Sequence, residues 1–421
     1  MRALVISEFM PHDPARAVFG AFQRLRLLLD AVAGLGELDL LFLQPRGVDG
    51  SAASAAALAE ALAQHWGLRA LVFLCEDDAA HAAEAGLRFS LRCLQAGAVT
   101  FFPQRLSLDS SRGPCQSAVE RALDREPDIV LAHRLGAMAP LLLRNRALPP
   151  IVLDLDDVEH IRAFRMVGTT TWGRRRLLGY GSVPVLVWSE RCALARARLT
   201  LVCSEADNRR LLRLGDPRRV AVLPNAVALP EVPPLPASPT LLFLGTYGYR
   251  PNADAAEWLL REIWPLVKRA VPEARLILAG PEWERIRGSA VAGPDVEVPG
   301  FVQDLVCLYR RTRLVCCPLR AGSGTRVKIL EAAAFGRPIV ATTLGAEGLD
   351  MRKGRELLVE DDPVAMAEAC VQLLRDEALC ARLGGAARAA VSERYERSAL
   401  VRSAMRLIAG ALPGGRRYGI A

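Results

Sequence analysis

The strongest constraint on this chain is a repeated alternation of short apolar runs with stretches of helical periodicity, interrupted once by a proline-dense segment. Alternation of this kind signals βαβ units and parallel sheets. In the first half the apolar runs are residues 3–6, 38–42, 70–74, 99–102, 129–132, 151–153 and 199–203, closed by VAVLP from Val220. Six prolines between Pro224 and Pro239 then exclude a helix or a central strand, which predicts an interdomain linker. The alternation restarts at residues 241–245 and continues through 275–280, 296–298, 314–317, 338–342 and 356–359. A length of 421 residues also exceeds what one core usually serves. The expected fold class is α/β, with two doubly wound domains.

With 51% hydrophobic and 24% charged residues the chain belongs among ordinary globular proteins. Its net charge of +8 points to anionic partners such as nucleotide sugars or phospholipids. Nucleic acid is not expected, because only six Tyr and six Trp are present and the basic residues do not interleave with them. Ten cysteines include no CxxC and no histidine at metal spacing, which predicts free core thiols, no resident metal and a reducing cytoplasm. The first apolar run is too short for a secretory segment, and no window approaches the roughly 18 apolar residues of a membrane span. A cytoplasmic protein is expected, with peripheral attachment to the inner membrane face left open.

Doubly wound folds bind ligands beyond the carboxyl ends of their strands, so the residues after each strand carry the chemistry. Residues 318–336, PLRAGSGTRVKILEAAAFG, set a glycine-rich turn against a helix with Arg326, Lys328 and Glu331. Gly322 and Gly324 admit backbone N–H groups close to an anion, the helix start adds partial positive charge, and the two cations neutralise the remainder. Glu331 offers an acceptor for vicinal hydroxyls. Phosphate beside diol suggests a nucleotide, although an ordinary capped surface helix has the same pattern.

Other strand ends supply further candidates. Gly20 and Arg24 flank an early helix start and could meet an anion together, and a solvated basic helix explains them equally. His133 directly follows an apolar strand. Asp154, Asp156 and Asp157 follow another, in a DxDxV pattern shared with Mg²⁺-dependent phosphatases and a DxD pattern shared with metal-binding glycosyltransferases; Glu360, Asp361 and Asp362 could mimic later metal-binding acids. Acids after a strand are also common helix caps. Ser204 and Asp207 read as a capping box, and Asn225 is expected to line the cleft. In the second half Gly245 and Gly248 form a close turn, Arg250 is a candidate anion contact, and Pro251 with Asn252 starts a helix.

The ordered series FLGTYGYRPN, LILAGPE, VPGFVQDL and CCPLRAGSGTRVKILEAAAFGRPIVATTLGAEGL resembles the donor domain of retaining family 4 glycosyltransferases with the two-Rossmann GT-B fold, in an exopolysaccharide-type branch. The resemblance covers about 200 residues from Leu199 onward, and the first domain matches more loosely. It implies an acceptor-side domain at residues 1–228, a donor domain at 229–393 facing it across a central cleft, and a crossover helix within 394–421, expected from about Ser392 to Leu412. It further implies that Glu331 binds ribose and that Arg326 and Lys328, with the turn Gly322, Ser323, Gly324 and Thr325, hold the diphosphate. His133 would face the donor sugar, Gly20 and Arg24 would border the diphosphate or acceptor, and Gly345 and Glu347 would lie near sugar and ribose. Gly245 and Arg250 would complete the donor site. No cofactor is implied; the donor substrate would be a UDP- or GDP-linked sugar, the acceptor a glycan or a lipid-linked sugar, and the transfer independent of metal.

Three departures from the family pattern stand out. Ser323 occupies the position of a frequent glutamate, Thr246 replaces a cation in the first donor turn, and PNA at residues 224–226 replaces the usual PNG. An inert nucleotide-sugar-binding protein is therefore the alternative. Residues 169–191 combine Arg174, Arg175 and Arg176 with Trp172, Trp188 and apolar residues, a composition that would rest on an anionic membrane surface or form a buried helix with a charged end.

Overall fold

The computed structural model describes residues 1–17, 20–43, 49–75, 87–101, 106–145, 147–168, 173–286 and 293–413, without the side chains of residues 175 and 217. Two compact units result: Met1–Pro224 with Ser398–Ala421, and Asn225–Arg397.

The first unit contains β1 (Arg2–Ser7), β2 (Glu37–Phe42), β3 (Leu71–Leu74), β4 (Thr100–Phe101), β5 (Leu106–Ser107), β6 (Ile129–His133), β7 (Ile151–Leu155), β8 (Leu199–Val202) and β9 (Val220–Val222). Seven of these form a parallel sheet in the order β3-β2-β1-β6-β7-β8-β9. Ala3, Leu4, Val5 and Ile6 are all fully buried, so both faces of the central strand are covered, as continuous apolar strands require. The order reverses at β1 and β6, where the register sets Ser7 opposite His133, and His133 opposite Asp154 on β7. That reversal is where such sheets open a crevice.

The second unit carries β10 (Thr240–Leu244), β11 (Arg275–Ala279), β12 (Val296–Gly300), β13 (Leu314–Cys317), β14 (Ile339–Ala341) and β15 (Leu358–Val359). Their order is β12-β11-β10-β13-β14-β15, all parallel, with the reversal between β10 and β13. The expected α/β class with two doubly wound units is present.

Three expectations are corrected or sharpened. The run at 99–102 does not join the parallel sheet: β4 pairs antiparallel with β5 in a short hairpin, and Phe102 lies outside the described residues. The proline-dense segment, expected as an interdomain linker, belongs to the second unit from Asn225 onward and packs on it. Its carbonyls, which prolines retain although they lack N–H groups, accept from three arginines of the second unit: Arg337 reaches Pro233 at 2.9 Å and Pro234 at 3.0 Å, Arg313 reaches Pro236 at 3.2 Å, and Arg388 reaches Pro230 at 3.0 Å. The terminal helix runs Arg397–Gly410 rather than from Ser392, which still belongs to the helix Glu377–Arg394. Between them Val227 donates to the Tyr395 carbonyl and accepts from the Arg397 N–H, pairing that withdraws the backbone from the helical ladder.

Candidate functional site

In the second unit the loop after β13 leads into the helix Val327–Ala334, with Arg326 at the N-cap position and no side-chain cap. The first N–H groups of a helix have no intrahelical partners, which makes this end electropositive. Gly322 has φ +107°, and a Cβ there would stand 3.3 Å from both Arg326 Nη2 and the Tyr249 hydroxyl; glycine is what lets the three groups converge.

Arg326 is buried, and Nη1 donates to the carbonyls of Ser323 and, at 2.8 Å, Gly324. Nε and Nη2 are buried with no hydrogen-bond partner. No carboxylate lies within ion-pair distance among the described residues. A guanidinium in this condition is a full charge with donors left over, and buried polar groups in that state call for a ligand or another explanation.

Lys328, two residues further on, is half-buried. Its Nζ donates to Asn252 Oδ1 at 2.7 Å and lies 4.7 Å from the centre of the Phe243 ring. Burial pushes its pKa down to about 8; Cys317 and Glu331 oppose the shift and Arg326 adds to it. Gly245, at the end of β10, leaves room for this pair: a Cβ would lie 2.7 Å from Asn252 Nδ2 and 2.9 Å from Lys328 Nζ. Glu331 is half-buried on the same helix, and its charge, after burial, helps raise the Tyr309 phenol.

The other predicted residues of this unit fall around the same sheet end. Buried Ser323 contributes a backbone acceptor to Arg326. The Thr325 hydroxyl accepts from Asn225 Nδ2 at 2.8 Å, so Asn225 anchors the glycine-rich loop. Gly345 donates its N–H to the Thr342 hydroxyl at 2.8 Å, and Glu347 follows half-buried. Arg250 opens the helix Arg250–Trp258. Tyr249 has no motif of its own and Asn252 looks only like a helix start; the close glycines, Gly322 for Tyr249 and Gly245 for Asn252, are their sequence signals.

Residues 238–376 match the family described as "Glycosyl transferases group 1", and residues 49–226 match the "Glycosyl transferase 4-like domain". The chain belongs to the group 1 glycosyltransferases. A phosphatidyl-myo-inositol mannosyltransferase of Mycobacterium leprae is 29% identical over 212 residues, 47% of this chain and 56% of the relative. The chain thus spans about half the length of the curated relatives it matches, and the corresponding Mycobacterium tuberculosis protein is 28% identical over 50% of its own length. Among solved structures, sucrose-phosphate synthase from Thermosynechococcus elongatus superposes with a TM-score of 0.66 at 16% identity, covering 96% of this chain and 97% of the other. HepE of Anabaena, solved in complex with UDP and glucose, gives a TM-score of 0.63 at 15% identity, covering 95% and 97%. The fold is GT-B.

In the first unit two expectations are corrected. Arg24 sits inside the helix Gly20–Ala33 with only 1% of its surface exposed, and its guanidinium is committed. It ion-pairs with Asp154 at 2.6 Å and donates to the carbonyls of Leu223 at 2.6 Å and Pro224 at 3.0 Å. An anion-binding role is overturned because the charge is already neutralised inside the protein; Gly20 remains as the first residue of that helix. The phosphatase reading fails with it. Both oxygens of Asp154 face Arg24, Asp156 is paired with Arg134 at 2.5 Å, and Asp362 caps the helix Pro363–Arg375 while Asp361 accepts from Thr343.

His133 is fully buried at the end of β6. Nδ1 meets the Ser7 hydroxyl at 2.9 Å, and Nε2 has no hydrogen-bond partner, with Asp154 Oδ2 at 3.9 Å. Burial pushes its pKa down to about 3, against the pull of Asp154 and with help from Arg134 and Arg24, so the imidazole is neutral. His133, Asp154 and Asp156 gather three potential ligand atoms within 4.8 Å. Arg24 and Arg134 already take the two carboxylates, which is unfavourable for a dication.

Proposed function

We propose that this protein transfers a sugar from a nucleoside diphosphate sugar to a glycan or lipid-linked acceptor, with retained configuration and without metal, in polysaccharide or glycoconjugate synthesis. The observation that carries this reading is Arg326: a buried guanidinium with two unpartnered nitrogens, no carboxylate, and a glycine turn and helix N-terminus beside it. Arg326 and Lys328 would take the diphosphate, and Glu331, on the same helix, the ribose hydroxyls. As the sugar–oxygen bond breaks, negative charge grows on the departing diphosphate; these two cations and the helix end then stabilise the transition state more than the ground state. The UDP and glucose bound by HepE, and the lipid named in the mycobacterial relatives, support this choice of donor and acceptor class. Neutral His133 is suited to a hydrogen bond with a sugar hydroxyl rather than to carrying charge.

Acceptor binding is proposed to involve an anionic membrane surface on the cytoplasmic side. No helix among the described residues is long and apolar enough to cross a membrane. The helix Arg174–Arg196 begins with exposed Arg174 and two exposed leucines, Leu177 at 74% and Leu178 at 65%, near exposed Phe164. Apolar side chains flanked by arginines suit shallow insertion beside anionic headgroups; Trp172 lies outside the described residues.

A thermal-shift panel of UDP, GDP, ADP and CMP with the wild type and Lys328→Ala and Glu331→Ala tests the donor assignment. One diphosphate should stabilise the wild type, by about 2.7 kcal/mol at 100 times its dissociation constant, and both variants should lose that gain. Unchanged shifts in both variants would refute the assignment, and turnover with a bound nucleotide sugar separates a transferase from an inert binder.

A further inference from the structure

Asn252 lies in the helix Arg250–Trp258 with 6% of its surface exposed. Its amide makes two hydrogen bonds of opposite sense: Nδ2 donates to the Thr246 carbonyl at 3.0 Å, and Oδ1 accepts from Lys328 Nζ at 2.7 Å. Together they fix the amide orientation, since a flip would turn the NH2 toward the ammonium and the oxygen toward the carbonyl. Gly245 makes the meeting possible, because any side chain there would occupy the space of both partners.

The acceptor that holds Lys328 is therefore neutral. A carboxylate at the same place would hold the ammonium more strongly and would cancel its charge for any incoming anion. The chain has only three lysines among 54 basic residues, at 268, 328 and 353, and one of them is placed here as a compact point charge. We propose that Asn252 is a positioning residue, holding Lys328 Nζ toward the donor diphosphate through a neutral hydrogen bond rather than a carboxylate. The inference rests on the donor assignment above and adds a residue that acts through another.

The groups that act on Lys328 are Cys317 at the end of β13, Arg326 and Glu331 on its own segment, the Phe243 ring on β10 and the Asn252 amide. With a pKa of about 8, the ammonium is mostly charged at neutral pH and is lost as pH rises through 8. Diphosphate affinity should fall over the same range. An aspartate at 252 would favour the charged lysine and move that alkaline limb upward, while weakening binding at pH 7 by its own charge.

The test is calorimetric titration of the full-length protein with UDP and with GDP from pH 6.5 to 9.5, for the wild type, N252A, N252D and K328A. Melting temperatures run alongside, and N252D is nearly isosteric, so at least one variant should keep the fold. N252A is expected to weaken binding about tenfold, and N252D by tenfold or more at pH 7 with its alkaline limb shifted up by about one unit. NMR titration of the three lysine Nζ groups should show the Lys328 pKa rising in N252D even without nucleotide. Wild-type affinity in N252D, or equal losses in both variants with no movement of the limb or of the Lys328 pKa, would overturn the inference. Full affinity in K328A would also overturn the inference, and the donor assignment itself falls only if Glu331→Ala is likewise without effect.

Discussion

Arg24 and Arg326 are both buried arginines at the ends of parallel sheets, yet one is closed within the protein and the other is left open. Arg24 faces Asp154 and two carbonyls, and although burial opposes its charge, Asp154 lifts its pKa above the ordinary value. Arg326 faces two carbonyls and no carboxylate, with two nitrogens unpartnered. Burying a charge is costly unless a counter-charge meets it. The first arginine meets its counter-charge on folding; the second awaits one from outside. Basic residues at strand ends therefore divide into structure and function by their partners.

The sharpest way to break this contrast is Arg24→Met, which strands a buried Asp154 and should cost about 3–5 kcal/mol in urea unfolding. If that variant is as stable as the wild type, Arg24 is not the internal counter-charge described. Next in size, Arg326→Met should weaken nucleoside diphosphate binding by about 1.5–3 kcal/mol, the worth of charge-assisted hydrogen bonds, with stability kept or improved. A Tm drop matching that of Arg24→Met, with affinity intact, would erase the distinction. The smallest effect, read over the first pH unit below 6.5, concerns acid. His133 is neutral in the fold down to about pH 3, whereas the unfolded chain takes up a proton near 6.5, so stability falls as pH drops through that window. The slope is about 1.4 kcal/mol per pH unit, and His133→Gln should remove it.

Much of the fold was legible because parallel strands buried on both faces appear as continuous apolar runs, and every such run except 99–102 became a strand of a large sheet. Of the candidate site, residues 318–336 were legible as a motif because glycines, cations and a helix start are contiguous there. Asn252 was not, since its partner Lys328 lies 76 residues away and an amide after proline looks like any helix opening. The packing of residues 225–239 on the second unit was not legible for a related reason: prolines advertise the N–H groups they lack and conceal the carbonyls that Arg313, Arg337 and Arg388 seek.

By itself the amino-acid order determined two α/β units, a phosphate-type turn at 322–326 and the family resemblance, because periodicity and contiguous motifs are local properties of the chain. Only the tertiary structure decided which charges remain available. Whether Arg24, Arg326 or Lys328 is neutralised depends on partners up to 200 residues distant, such as Pro224 for Arg24, and pairing over such distances follows from packing rather than from spacing.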